Sequence, residues 1–435
     1  MGRSDLAIFG GKPVRTKKFP AYKVIGDEEK RAVTAVLEGG KLSGYLGCWD
    51  PGFMGGAQVR ALEEEWAAHF GVKHAMCINS ATSGLIAAVG ACDIGPGDHV
   101  IVTPYSMSAS ATCPLFYGAI PIFADIEPDY FCLDPASVEK MITPRTKAIV
   151  VVDLFGQPYA ADSINSIARK HGLRVIEDAA QSPNAMLNGT FAGCLGDVGV
   201  FSLNVHKHIH TGEGGVVVTN DDRIADKVRL IRNHAEAVVE GMGATDLVNM
   251  VGMNLRMTEI EASIARCQLQ KLDRLVEERQ HNFEYLATKL STLPGLSMAK
   301  VRPGAKHAQY VFTMLYEKEV MGIPRDRFVK AVCAELPETK GREGEGAIFS
   351  CGYVKPLYMQ PLFQKRVAIG KDGFPFVPYG EGVSYAEGIC PVTEVLWREK
   401  LFFHEMFRPP MSHEDLDDVY RAFEKVHSNR DALRI

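Results

Sequence analysis

Lys207 has four residues between it and Ser202, and four between it and Gly212, in the run Phe201-Ser202-Leu203-Asn204-Val205-His206-Lys207-His208-Ile209-His210-Thr211-Gly212-Glu213-Gly214-Gly215. An amine held in a cleft has a depressed pKa and condenses with a carbonyl to form a Schiff base. Upstream, Val175-Ile176-Glu177-Asp178-Ala179-Ala180-Gln181-Ser182 places two acids where an apolar run ends. A carboxylate beyond a strand end can hold the positive charge of a bound heterocycle. Further upstream, Asn79-Ser80-Ala81-Thr82-Ser83-Gly84-Leu85 supplies hydroxyls and helix-start N–H groups, the makings of an anion cradle. A fourth segment, Gly252-Met253-Asn254-Leu255-Arg256-Met257-Thr258-Glu259, runs into a helix start. Read alone, each has an ordinary alternative: an N-cap, a solvated acidic turn, a surface lysine, a loop into a capped helix.

The elements that must position these groups alternate between two periods. Apolar residues at helix spacing over 59–70 precede a strand at 75–78 and a helix at 82–92. Short apolar or β-branched runs follow at 99–103, 120–124, 148–153, 173–177, 198–202 and 215–219. Such alternation predicts βαβ units and a largely parallel, buried sheet. From Thr258, a capping box with Glu261 opens one long helical pattern through Leu286, ending before Pro294-Gly295. It is expected to bridge a large domain, 1–275, to a smaller C-terminal α/β domain, 276–435.

Composition removes several classes of function. The 435 residues are 46% hydrophobic and 23% charged, an ordinary globular balance. With 48 basic and 53 acidic residues the formal charge is −5, so there is no electrostatic footprint for nucleic acid or an anionic membrane. Residues 1–11 lack a basic stretch followed by an apolar run, and Leu6 breaks the N-myristoylation pattern. The longest apolar runs are strand-sized, well short of the ~18 residues of a membrane helix. Ten cysteines without a C-x-x-C pair predict reduced packing thiols and a cytoplasmic protein. Neither a dinucleotide fingerprint nor a P-loop is present: Gly193-x-x-Gly196-x-x-Gly199 has the wrong spacing. His206, His208 and His210 alternate as strand ligands can, yet no partner ligands accompany them, so no metal is expected.

Taken in order, the segments supply a phosphate cradle, a carboxylate for a ring nitrogen and a Schiff-base lysine, the layout of a pyridoxal 5′-phosphate (PLP) site. With Arg232-Asn233-His234 and Asn254-x-Arg256-Met257 added, the chain resembles the DegT/DnrJ/StrS sugar aminotransferases, fold-type I PLP enzymes, from Ile25 to the C-terminal helix. The resemblance implies an α/β, aspartate aminotransferase-like fold: a mixed, mostly parallel sheet in the large domain plus the smaller domain. It implies that Lys207 carries the cofactor, that Asp178 faces the pyridine nitrogen and that Gln181 lies near the ring 3-oxygen. Ala81, Thr82 and Ser202 would hold the phosphate, and Asn254 would reach the phosphate of a neighbouring subunit, implying a homodimer with shared active sites. The implied reaction moves an amino group from L-glutamate or L-glutamine to a keto-sugar, nucleotide-linked keto-sugar or keto-cyclitol. Because some relatives carry His in place of the lysine and act as dehydratases, Lys207 favours transamination. A PLP-dependent dehydratase or lyase, and a catalytically silent PLP-binding regulator, are the alternatives.

Four departures from the family pattern stand out: one substitution and three expanded segments. Relatives stack an aromatic on the cofactor ring where this chain has Met107, within Ser106-Met107-Ser108-Ala109-Ser110; a thioether can serve there. Residues 43–59, 340–352 and 365–385 look expanded, aromatic and Gly-rich, as a lid or an unusual acceptor pocket would be, or as plain surface decoration. His307 and Tyr310, supplied by a partner's small domain, are candidate acceptor contacts.

Overall fold

The computed structural model describes residues 5–434. The apolar runs of the first half become β1 (His74–Ile78), β2 (His99–Val102), β3 (Ile120–Phe123), β4 (Thr146–Val152) and β5 (Arg174–Asp178). A short hairpin, β6 (Met186–Leu187) and β7 (Thr190–Phe191), precedes β8 (Val198–Ser202) and β9 (Gly215–Thr219). Seven of these form one sheet in the order β1-β9-β8-β5-β4-β2-β3. Strands β8, β5, β4, β2 and β3 run parallel, whereas β9 is antiparallel to both its neighbours. Helices cover both faces, which is why β4 reads Thr-Lys-Ala-Ile-Val-Val-Val rather than alternating.

Register does the positioning. Ile78 pairs with Gly215, Gly215 with Ser202, and Asp178 with Val200. The ends of β1, β5 and β8 and the start of β9 therefore lie at one rim, where the cradle, the acids and the Lys207 loop converge.

The second body is a four-stranded antiparallel sheet, β10-β12-β14-β13, built from β10 (Leu296–Met298), β12 (Phe312–Tyr316), β13 (Phe349–Cys351) and β14 (Leu401–His404). Its core gathers Leu286, Phe312, Phe328, Phe402 and Phe423. Leu6 and Phe19, from the start of the described chain, are buried in this core too. A small sheet ties the bodies together: β11 (Ala305–Lys306) pairs with β6.

Two sequence expectations change. The helical pattern after Thr258 is two helices, Glu259–Leu269 and Leu272–Leu290, not one. At the break, Lys271 turns its ammonium to Val24 O (3.0 Å) and Glu29 (2.6 Å), and the chain redirects there. The first helix packs on the Asp27–Gly39 and Ala57–Phe70 helices. The second buries Leu272 and Val276 in the large core, then Leu286 and Leu290 in the small one.

Of the readings open for 365–385, the structure favours a cover over the sheet edge rather than a lid: Tyr385, with Tyr358 and Phe363 of the segment before it, docks along β3, the rings of Tyr358, Phe363 and Tyr385 lying 5.6, 5.1 and 5.8 Å from that of Phe123, and Tyr385 OH donating to Pro121 O at 2.9 Å. Composition marked the loop as aromatic; only the sheet order shows that β3 is the edge it covers. Residues 43–59 are pinned to the large body, with Tyr45 and Phe53 buried and Asn233 Nδ2 donating to Leu46 O at 2.9 Å.

Candidate active site

Helix 81–91 begins at the rim because Ser80 caps it, its hydroxyl accepting from Ser83 N–H at 3.1 Å. The first-turn N–H groups of Ala81 and Thr82 are then the donors offered to an anion, at the positive end of the helix dipole. Gly215 closes the cradle from behind: a Cβ there would sit 2.8 Å from Ala81 N.

Asp178 ends β5, 5% exposed. Its Oδ2 accepts from Ser110 OH at 2.7 Å and its Oδ1 from Ala180 N–H at 3.1 Å. Burial pushes this carboxyl above its ordinary range, while the bonds from Ser110 and Ala180 and the charge of Lys207 pull it back. Gln181 is fixed at both ends of its amide: Oε1 accepts from Phe155 N–H at 2.9 Å, and Nε2 donates to Tyr353 Oη at 3.0 Å. Burial holds the Tyr353 hydroxyl protonated.

Lys207 sits in a turn, its N–H donating to Asn204 O at 2.9 Å. His208 is fully buried, pairs its Nε2 with Ala308 O at 2.8 Å, and is kept neutral by burial. Next to this anchor, Lys207 extends over Tyr310, its Nζ 4.7 Å from the centroid of that ring, which the His208 ring also approaches at 6.0 Å. The alternating histidines are thus an anchor at His208 and an exposed ring at His206; among the described residues no group of three His, Cys, Asp or Glu could hold a metal ion.

These side chains line one cleft of about 320 Å³, which brings together Ala81, Thr82, Met107, Asp178, Gln181, Ser202, Lys207 and Tyr310. Met107 stands at the mouth, 64% exposed. Two predicted residues lie elsewhere. Asn254 is exposed, its Oδ1 accepting from Arg256 Nε at 2.8 Å. His307 is buried, its Nδ1 accepting from Gln309 N–H at 2.9 Å. Tyr310, expected from a partner subunit, belongs to the same chain's cleft. Sequence reasoning missed Ser110 and Tyr353. The i, i+4 spacing of Ser106 and Ser110, whose hydroxyls meet at 3.1 Å, was a usable signal for Ser110.

The donor set fits PLP. A buried carboxylate facing the cleft, with no cation bonded to it, suits a protonated ring nitrogen, and the capped helix start suits a phosphate. The sequence model of the DegT/DnrJ/EryC1/StrS aminotransferase family matches residues 23–376. A putative L-glutamine:3-amino-2,3-dideoxy-scyllo-inosose aminotransferase of Streptoalloteichus tenebrarius is 32% identical over 99% of this chain and 100% of its own length. The spore coat polysaccharide biosynthesis protein SpsC of Bacillus subtilis is 30% identical over 94% of this chain and 96% of its own. The crystal structure of DesI, solved in the presence of its TDP-sugar product, superposes with a TM-score of 0.79 at 26% identity, covering 98% of this chain and 97% of that one.

Proposed function

This chain belongs to the DegT/DnrJ/EryC1/StrS aminotransferase family and is a PLP-dependent aminotransferase, and from that premise we propose that it moves an amino group from L-glutamine or L-glutamate to the keto group of a cyclitol or sugar ring. The observation that carries the reading is the meeting of Lys207, Asp178 and the Ala81–Thr82 donors in one cleft. The full-length likeness to a glutamine:inosose aminotransferase supports a cyclitol or similarly compact ring.

PLP, when bound, supplies an aldehyde that captures amines and a ring that draws electrons away from the carbon next to the nitrogen. The chain's own residues do the rest. Ala81 and Thr82 N–H and Ser202 OH hold the phosphate. Asp178 keeps the ring nitrogen charged, and Ser110 and Ala180 keep Asp178 ionised and aimed. Gln181 Nε2 has a second N–H to offer the ring 3-oxygen. Lys207 anchors the cofactor, and its Nζ takes the Cα proton of the donor and returns it on the other side of the exchange, as base and then acid. The Tyr310 ring lies beside the Lys207 amine and limits the directions in which it can swing. Residues 1–275 supply the cofactor groups; Tyr310 and Tyr353 enter from 276–435.

A homodimer sharing its sites suits Asn254, which is exposed outside its own cleft and free to reach a neighbour's phosphate. The ten unpaired cysteines suit a reducing cytoplasm.

The test is a spectroscopic half-reaction with a panel of amino acids, followed by challenge of the aminated form with inososes and keto-sugars. Conversion by glutamine or glutamate and reoxidation by one of these ketones is the expected result. Failure of every donor to aminate the cofactor would favour a dehydratase or a silent binder.

A further inference from the structure

Two carboxylates that the reaction does not use meet directly behind the cleft. Asp153, just past β4, and Glu177, in β5, are both 0% exposed. Strand alternation turns Glu177 to the face opposite Asp178. There its Oε1 accepts from Gly193 N–H at 2.6 Å, and its Oε2 from Leu195 N–H at 2.8 Å and Gly196 N–H at 2.9 Å. These residues lead into β8 and so to Ser202. Asp153 Oδ1 accepts from Tyr159 N–H at 2.9 Å, Asp153 Oδ2 from Ser182 OH at 3.1 Å, and Asp153 N–H donates to Asp178 O at 3.1 Å. Register brings the two together: Val151 pairs with Glu177, so Asp153, two residues further on, is its diagonal neighbour on the same face, and the charge of Glu177 raises the Asp153 carboxyl.

A hydrogen bond between these neighbours needs a proton, because two carboxylates have none to donate. Among the described residues no cation forms an ion pair with either carboxyl: Tyr159, Cys132 and Cys194 face the pair, with Asp197 beyond them, while Arg302, near Cys132, is paired with Glu127, and Arg174 with Asp197. Two bare anions in contact in a dry site are far costlier than one anion and one acid. Geometry decides which is which. Glu177 is served by three N–H donors; Asp153 is served by one, plus a hydroxyl that has a second acceptor in Ala179 O at 3.3 Å. The negative charge settles on Glu177.

We propose that Asp153 carries a proton and donates it to Glu177, and that this bond is a positioning device, locking the strand end of Asp178, the turn of Gln181 and the approach to Ser202 into one unit. The pattern Gly193-x-x-Gly196-x-x-Gly199, wrong for a dinucleotide, has its explanation here. Gly193 adopts φ +88°, a Cβ at Gly196 would lie 2.8 Å from Val175 O, and one at Gly199 would lie 1.8 Å from Gly193 O. The loop must crowd against β5 for its N–H groups to reach Glu177.

The shared proton is testable without cofactor; the positioning half rests on the proposed reading of the cleft. Infrared spectroscopy of the apo protein at neutral pH should show a protonated-carboxyl stretch that disappears in Asp153→Asn; a wild-type spectrum with no band removed by this substitution overturns the proposal. An Asn at 153 still donates to Glu177, so Asp153→Asn should bind PLP as wild type does and show the same pH titration of bound-cofactor absorbance. Glu177→Gln turns an amide N–H₂ toward backbone donors, so it should lose roughly tenfold or more in PLP affinity and shift that titration. Equal behaviour of Glu177→Gln and wild type, or the reverse asymmetry, overturns the assignment. If Glu177→Gln does not fold, Asp153→Ala against Asp153→Asn makes the same comparison. Should even the wild type fail to bind PLP, the functional reading falls while the infrared result stands by itself.

Discussion

Gln181 Nε2 donates to Tyr353 Oη at 3.0 Å, joining the turn after β5 to a residue 172 positions later in the chain. Tyr353 follows β13 of the small body and packs its ring edge-on against Tyr105 and Phe155 of the large one, with centroids 5.9 and 5.0 Å apart. The aim of Gln181 toward the cofactor therefore depends on how the two bodies sit against each other.

Tyr353→Phe keeps that packing and removes only the acceptor. The expected result is PLP affinity close to wild type and a kcat/KM lower by roughly tenfold, the scale of one hydrogen bond. Steady-state kinetics with the identified acceptor, alongside equilibrium dialysis for PLP, separates the two. An unchanged kcat/KM would show that Gln181 needs no support from this hydroxyl.

Lys207→Ala should fold, with a melting temperature near that of the wild-type apo protein, because the half-exposed side chain contributes little packing. Turnover should vanish, along with the cofactor that borohydride fixes to the chain. Mass spectrometry of the reduced wild-type protein should find the label on the peptide containing residue 207. A label elsewhere would move the anchor.

Asp178→Asn should trade activity for stability. Burial holds the Asp178 carboxyl above its ordinary value, so folding favours its neutral form. The stability this gives the apo protein is complete below the unfolded value of about 3.9 and is lost as pH rises through the raised folded value. At neutral pH the neutral amide escapes that loss, and Ser110 OH can turn to Ser106 Oγ. The apo variant should melt higher than wild type at pH 7, with the gap closing as pH falls toward 4, while kcat falls by about 10²–10³-fold, the scale for removing one fixed electrostatic group. A lower melting temperature at pH 7 would contradict the buried-charge account.

His404 and His307 set an acid limit. Burial lowers both rings to about 3, so the folded state keeps them neutral while the unfolded chain protonates them below about 6.5. Their contribution is full above that value and is lost as pH falls toward the folded one, on the order of 1 kcal/mol per pH unit for each ring. His404 accepts from Met406 N–H at 3.2 Å through Nδ1 and has no partner at Nε2. His404→Asn keeps an acceptor near that place, and melting curves from pH 7 to 4 should show a shallower decline than wild type.

The positions of some cleft residues were legible, because Asp178 closes β5, Ser202 closes β8 and Ala81 opens a helix, while Lys207 lies in the turn between β8 and β9. Lys207 and Asp178 could be placed by counting from Ser202 and from the end of an apolar run. Register, which brings Ile78, Gly215 and Ser202 into one row, cannot be read from spacing, since it depends on β9 inserting antiparallel between β1 and β8. Tyr353 was hidden for another reason. It lies in a Gly-rich stretch that looks like a loop, and its role arises only when two bodies meet. The break at Lys271 was equally silent, for the helical period runs through it and only the ion pair with Glu29 explains the turn.

The cover over β3 has a consequence for synthesis. Strand β3 leaves the ribosome early, with Pro121 as its one built-in obstacle to a neighbouring strand, while the aromatics that blanket it arrive near the end of the chain. Until Tyr358, Phe363 and Tyr385 dock, the nascent large body carries an open template for pairing with other chains. Deletions within 357–390 should therefore show themselves first as insoluble protein rather than as lost catalysis.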